Sequence, residues 1–325
     1  ANGDPQNIDC GFTTGARAVI IKQITASQAI SSTLGWYCFD TARGIAQQTT
    51  ATSGSTTFSG NVSDTLKILG HNNGGGGFNL GTGAYTIEFW IKTTASYGWI
   101  MHNAQNNTGF RICIGSNGGS GNNGKIQLNE QVGNNDDYTT SSSTINDGQW
   151  HHIAITRPPS DGTNGPRLKI FVDGTHEGTG NHDRNCDSND DCWIGRRQSG
   201  GGYALNGQLS NFRVRSSCIY TSDFTPPIVP LDQTADTKLL FLQSTTDPLT
   251  VSVTPGTLSY TGGTMNSSAD NPFSNAATPH MRLDNTSHQQ ISSTPWIKRI
   301  DSGFRIESGN TINNANQTYI YYAIA

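Results

Sequence analysis

Two kinds of chemistry are available to this chain from its residue types: oxygen-rich metal coordination, and aromatic rings set beside planar polar groups. The segment Asp183-Arg184-Asn185-Cys186-Asp187-Ser188-Asn189-Asp190-Asp191 puts carboxylates at the short spacing a Ca²⁺ ion needs. Asp183, Asp187, Asp190 and Asp191 are its candidate ligands, although the ordered DxDxDG of an EF-hand is missing. The alternative is a solvated loop, cinched by a Cys186–Cys192 disulfide or flanked by two free thiols. No CxxC pair stands there, which disfavours zinc. Tyr97, Trp99, Asp136, Asp137, Tyr138, Arg196, Arg197 and Tyr203 join aromatic platforms to planar polar groups, as a sugar-binding concavity requires. Arg196-Arg197 suits a subunit contact equally well. Acid–base hydrolysis finds less support. Glu88, Glu130, Glu177 and Glu307 are scattered, none has a carboxylate two residues away, and no GxSxG or HExxH motif occurs. His151 and His152 are neighbours on a strand pattern, so they face opposite sides and cannot jointly grip one ion.

These residues need a framework, and the composition says which kind. Hydrophobic residues make up 33% of the 325 and charged residues 14%, against about 45–50% and 25% in ordinary domains. Four Glu and seven Lys stand against 20 Asp. Strong helix formers are therefore scarce, and Asp prefers caps and turns. Twelve Phe, ten Tyr, six Trp and a net charge of −4 argue against disorder. An all-β protein follows. Tyr85 to Lys92 alternates, with Tyr85, Ile87, Phe89 and Ile91 on one face. Leu168 to Val172 does the same before an Asp173-Gly174 hairpin turn. Phe212 and Val214 alternate with Arg213 and Arg215, and Phe304 and Ile306 with Arg305 and Glu307. Half-buried antiparallel strands produce this pattern.

Charge and hydropathy exclude some partners. There is no basic footprint for nucleic acid and no Lys/Arg run for a membrane surface. The longest apolar run, Tyr319 to Ala325, has seven residues, where a spanning helix needs about 20. Ala1-Asn2-Gly3-Asp4-Pro5 is not a secretory signal; the missing Met implies a processed chain or part of a longer one.

Phe78-Asn79-Leu80-Gly81-Thr82-Gly83-Ala84-Tyr85-Thr86-Ile87-Glu88-Phe89-Trp90-Ile91 resembles the opening strands of a laminin-G-like, concanavalin-A-like domain. Asp147-Gly148-Gln149-Trp150-His151-His152-Ile153-Ala154-Ile155-Thr156-Arg157 is similar to the DGxWHHIAxTR strand of that family, and Leu168 to Gly174 to its LxIFVDG hairpin. Trp193-Ile194-Gly195 and Leu205 to Val214 are similar to its closing pair. The resemblance implies a two-sheet antiparallel jelly-roll sandwich, with His151-His152 on a framework strand, Trp193 in the core, and Ca²⁺ at a loop rim as in related domains. The ExDxxE strand of the superfamily's glucanases is absent.

Ile219-Tyr220-Thr221-Ser222-Asp223-Phe224-Thr225-Pro226-Pro227, followed by Thr237-Lys238-Leu239-Leu240, resembles the tail of such domains in particle proteins of aquatic tailed phages. Gly11-Phe12, Ala18 to Lys22 and Trp36 to Gly44 resemble the first half of a small β domain of those proteins. Leu283-Asp284-Asn285, Ser302 to Ile306 and Asn316 to Ala325 resemble its second half. The organisation expected is a first half at 1–50, the sandwich at 51–246, an extended linker at 247–279 and the second half at 280–325. The strand Arg17 to Lys22 then shares a sheet with Tyr319 to Ile324. That last strand is apolar on both faces, so one face is expected against another subunit. The resemblance implies a non-enzymatic virion protein: a tail fibre, appendage or capsid-decorating subunit on the particle surface. It would form homo-oligomers, contact other virion proteins and bind host-surface glycans, with no nucleic acid, no membrane insertion and no cofactor besides Ca²⁺. A secreted bacterial adhesin or matrix lectin is the second reading and a glycan hydrolase the third.

Overall fold

The computed structural model describes residues 6–11, 18–23, 36–40, 46–47, 53–69, 78, 80–103, 108–116, 119–132, 135–159, 168–181, 185, 191–198, 202–261, 265–273, 279–282, 290–291, 296–300, 303–306 and 319–324. Every regular element among them is a strand. They group into two compact units, residues 52–271 and residues 1–51 with 272–325.

Residues 52–271 form two antiparallel sheets. One has seven strands, ordered Asn135–Thr140, Ile126–Val132, Thr108–Ile114, Gly98–His102, Cys192–Ile194, Thr65–Leu69 and Thr257–Thr261. The other has nine. Its main path runs Thr175–Gly180, Leu168–Val172, Trp150–Arg157, Tyr85–Lys92, Asn206–Arg215, Thr237–Phe241 and Val251–Val253. Ser55–Ser59 and Asn266–Ser268 branch from Asn206–Arg215. Alternation turns Ile87, Phe89 and Ile91 of one sheet and Met101, Ile112, Leu128 and Ile194 of the other into a single core. Phe89 and Phe212 stack there with centroids 4.9 Å apart. This is the two-sheet antiparallel jelly-roll sandwich that the family resemblance implies.

One sequence expectation fails. Over 247–271 the chain is no linker: Val251–Val253 pairs with Thr237–Phe241, Thr257–Thr261 with Thr65–Leu69, and Asn266–Ser268 with Ser55–Ser59. These strands lie at sheet edges: Val251, Leu258, Tyr260 and Met265 reach the core, but they are spaced among Ser, Thr, Gly and Pro, so the segment reads as polar loop. Asp270 then ties the segment down. It accepts from Lys92 Nζ at 2.8 Å and Trp150 Nε1 at 3.1 Å, while Asn271 Nδ2 donates to Ser53 O at 2.8 Å.

The second unit also has two sheets. Five strands run Gln290–Ile291, Pro279–Arg282, Trp36–Asp40, Ala18–Gln23 and Tyr319–Ile324. Four run Gln6–Asp9, Gly303–Ile306, Ile297–Ile300 and Ala46–Gln47. Ala18 lies opposite Ile324 and Gln23 opposite Tyr319. Val19, Ile21, Tyr37 and Phe39 of one sheet meet Ile297, Phe304 and Ile306 of the other in a small core. Tyr319–Ile324 is the last strand of its sheet, and Ile320, Tyr321, Tyr322 and Ile324 are exposed.

Candidate binding face

The two outer faces of the sandwich differ. On the nine-stranded sheet, Glu88, Trp90, His152 and Arg213 point away from the core, and residues 216–232 cover them. Tyr220 and Phe224 stack at 3.6 Å, and the His152 ring meets both edge-on. Tyr220 donates to Glu88 Oε2 at 3.0 Å, and Arg213 donates to Glu88 Oε1 and to Asp232 O. Burial acts to raise the Glu88 carboxyl, but hydrogen bonding to His152 and the Arg213 charge outweigh it and hold it below its usual range. Glu88 is therefore an ionised structural anion.

The seven-stranded sheet carries a different outer face. Its register sets Tyr138, Asn129, Arg111, His102, Trp193, Lys67 and Ser259 opposite one another in sequence across all seven strands. At the usual strand spacing this row is about 29 Å long. The neighbouring row, Leu128, Ile112, Met101, Ile194 and Leu66, is the core. A single residue step thus separates apolar interior from a polar, aromatic and cationic exterior. Lys67 Nζ and Arg196 Cζ lie 4.7 and 4.9 Å from the Trp193 ring centre. His102, 2% exposed, is pushed down to about 3 by burial first and then by the Arg111 and Arg197 charges. It is neutral, and neither ring nitrogen has a partner; nor do Asn129 Nδ2 and Trp193 Nε1, which are also buried.

At one end of this face Tyr97 and Tyr203, 43% and 50% exposed, meet edge-on at 86° with ring centres 5.2 Å apart. Tyr203 has φ 59°, a left-handed conformation that costs a non-glycine residue roughly 1–3 kcal/mol. Its carbonyl accepts from the Trp99 N–H at 2.9 Å. Glycines make room for the pair: a Cβ on Gly119 would come within 3.1 Å of the Tyr203 ring, and one on Gly115 within 3.1 Å of Tyr97 Cβ. Two exposed rings at a right angle form a corner that a sugar ring can enter.

Of the sugar-site residues named from sequence, Tyr97 and Tyr203 meet in this corner, Tyr138 lies on the outermost strand, and Arg196 and Arg197 follow Trp193. Tyr97, Tyr203, Tyr138 and Arg197 are exposed, and Arg196 is half-buried with Nη1 donating to Val62 O. Asp136 lies opposite Gln131 on the outermost strand, and Asp137 opposite Glu130. Trp99 is a correction. It faces outward but is 3% exposed, because residues 203–204 run across it and Ala204 bridges to it. Trp193 is another: Cys192 and Ile194 occupy the core, so alternation sends Trp193 outward, half-buried under its two cations. Sequence reasoning missed Lys67, His102, Arg111 and Asn129. Each strand's alternation marks them as outward, but only the pairing register makes them neighbours.

Asp183, Asp187, Asp190 and Cys186 lie outside the described residues. Asp191 forms an ion pair with Lys67 at 2.5 Å, and no cluster of metal-ligating side chains occurs among the described residues. Cys192 is a free thiol inside the core. Of the two alternatives for this loop, a Cys186–Cys192 disulfide or two free thiols, the second fits Cys192, whose sulfur alternation directs inward. His151 and His152 do face opposite ways. His152 is buried, while His151 sits 2.7 Å from Asp173 Oδ2 and 3.0 Å from Asp147 Oδ1.

The fold is that of a lectin-like β-sandwich protein. The chain belongs to the Laminin_G_3 family of the concanavalin A-like lectin/glucanases superfamily, whose model matches residues 46–222, more than half of it. Among solved structures it is similar to a carbohydrate-binding candidate of Bacteroides ovatus, with 17% identity over 77% of this chain and 68% of that one, TM-score 0.47. A heptameric SAP-like pentraxin of Limulus polyphemus matches at 19% identity over 53% and 80%, TM-score 0.38. Domains LG4-5 of the mouse laminin alpha1 chain match at 16% over 54% and 49%, TM-score 0.38. A comparison with curated proteins found no match.

Proposed function

We propose that the chain is a non-enzymatic adhesion subunit of a phage particle, with its sandwich binding host-surface glycans on the outer face of the seven-stranded sheet. The exposed Tyr97–Tyr203 corner carries the binding half of this reading. A strained tyrosine is kept where a glycine would be relaxed, and its ring contributes little to the core. A non-catalytic role accords with the buried glutamates. Glu88 is bound by Arg213, and Glu130 accepts from Arg157 and Tyr85, so neither is a free general acid. The particle context rests on the sequence likeness of Ile219 to Pro227 and of both chain ends to phage particle proteins. The exposed strand Tyr319–Ile324 supports a homo-oligomer on the particle surface.

A glycan array probed with the full chain tests the binding half. Binding is expected and should be lost in Tyr203→Gly; a folded wild-type chain that binds no glycan overturns it. Mass spectrometry of purified virions tests the context. Absence of the chain from particles, with its presence in secreted matrix, overturns the virion reading in favour of a bacterial adhesin.

A further inference from the structure

We infer that the glycan taken on this face is acidic, and that its carboxylate is held between Arg197 and Arg111 above His102 and Asn129. The inference rests on the glycan-binding reading and specifies its ligand. Arg111 stands opposite His102 on one side and Trp193, four residues before Arg197, stands opposite it on the other; the charges of both Arg111 and Arg197 act on the His102 ring. Arg196 adds a third beside Trp193. Neither Arg196 nor Arg197 has a carboxylate partner among the described residues, and Asp191 on this face is engaged by Lys67. Like charges brought close together repel, and an anion bound between them relieves that cost.

The buried polar atoms point the same way. Asn129 Nδ2 and Trp193 Nε1 can only donate, and His102, being neutral, donates from one ring nitrogen. None has an acceptor in the protein. A buried donor left without an acceptor costs about 1–3 kcal/mol, so three within four successive positions of one cross-strand row, with only Arg111 between them, are an expensive feature for a merely structural surface. Asn129 spends its oxygen on Arg111 Nη1 at 3.2 Å, which turns its amide nitrogen outward from that contact. The missing complement is an acceptor-rich anion. A planar carboxylate matches the guanidinium fork, and the hydroxyls of the same sugar can serve the remaining donors. The Tyr97–Tyr203 corner stands five residues from His102 along the Gly98–His102 strand, roughly 15 Å away, so it is the wall for another ring of the same oligosaccharide.

The test is calorimetric titration of the full chain with sialyllactose, lactose, oligogalacturonate and a neutral galactan oligomer, alongside Arg197→Ala and Tyr203→Gly. One of the two acidic sugars should bind roughly tenfold or more tighter than its neutral counterpart, and Arg197→Ala should remove that advantage. Arg197 is exposed, so its variant folds, and an unchanged melting temperature verifies this. Equal affinity for acidic and neutral sugars, both lost in Tyr203→Gly, overturns the acidic preference and leaves glycan binding standing. Affinity for sulfated dextran equal to that for the carboxylated sugars overturns the carboxylate assignment. No binding of any sugar to the folded chain overturns both readings.

Discussion

Arg157 and Glu130 are paired at 3.0 Å with 1% and 0% of their side chains exposed. The pair is saturated from several sides. Arg157 Nε and Nη2 donate to the carbonyls of Gly83 and Gly81, its guanidinium lies 4.6 Å from the Tyr85 ring centre, and the Tyr85 hydroxyl donates to Glu130. Removing one partner strands the other charge in the interior. Glu130→Leu should cost about 3–5 kcal/mol, read as a lower urea midpoint, because the Arg157 charge loses its counter-ion. An unchanged midpoint would show that Arg157 finds water or another acid.

His151 provides a pH signature. Its hydrogen bond to Asp173 raises its pKa, burial opposes this, and Asp147 adds to the rise. A pKa raised on folding adds stability that is complete below the unfolded value of about 6.5 and is lost as pH climbs through the folded value. The melting temperature should therefore fall on going from pH 6 to pH 9. The fall should be smaller in His151→Gln; equal slopes in the two proteins would remove His151 as its source.

Tyr203→Gly separates function from stability. Glycine relieves the left-handed strain at φ 59° but gives up the ring contact and adds chain entropy. The opposing effects should leave stability within about 1 kcal/mol of wild type. Glycan binding should vanish. A variant that still binds shows that the corner is not the site.

The strands beyond residue 246 predict where the sandwich can be cut. A fragment 52–271 should melt in one cooperative step, whereas 52–246 should melt lower or not fold. The shorter piece loses Val251–Val253, Thr257–Thr261, Asn266–Ser268 and the Asp270 contacts to Lys92 and Trp150. Equal melting of the two would mean that these edges contribute nothing.

Tyr322, 65% exposed on the last strand of its sheet, is the place to test self-association. Tyr322→Lys puts a charge on an open edge, a device that blocks strand pairing. Light scattering should show oligomers in the wild type and monomers in the variant. A monomeric wild type would contradict the homo-oligomer.

What the amino-acid sequence determined by itself is whatever depends on local period and residue chemistry. Alternation in Tyr85–Lys92 and Leu168–Val172 specifies strands with one apolar face, and it specifies that His151 and His152 part company. Residue chemistry alone picks Tyr97, Tyr138, Tyr203, Arg196 and Arg197 as candidates. It could not say that Trp99 is roofed by residues 203–204, or that Trp193 faces out beneath Lys67 and Arg196. Nor did it find the strands of 251–268, whose few core residues, Val251, Leu258, Tyr260 and Met265, stand in short runs broken by Ser, Thr, Gly and Pro. The row from Tyr138 to Ser259 was the least legible of all. Its members come from seven strands between residues 65 and 261, and a shift of one residue in any pairing would send that strand's member to the core side. Register is set by turn geometry and by the packing of two sheets on one core. Only the tertiary structure could decide that these particular donors and cations stand side by side.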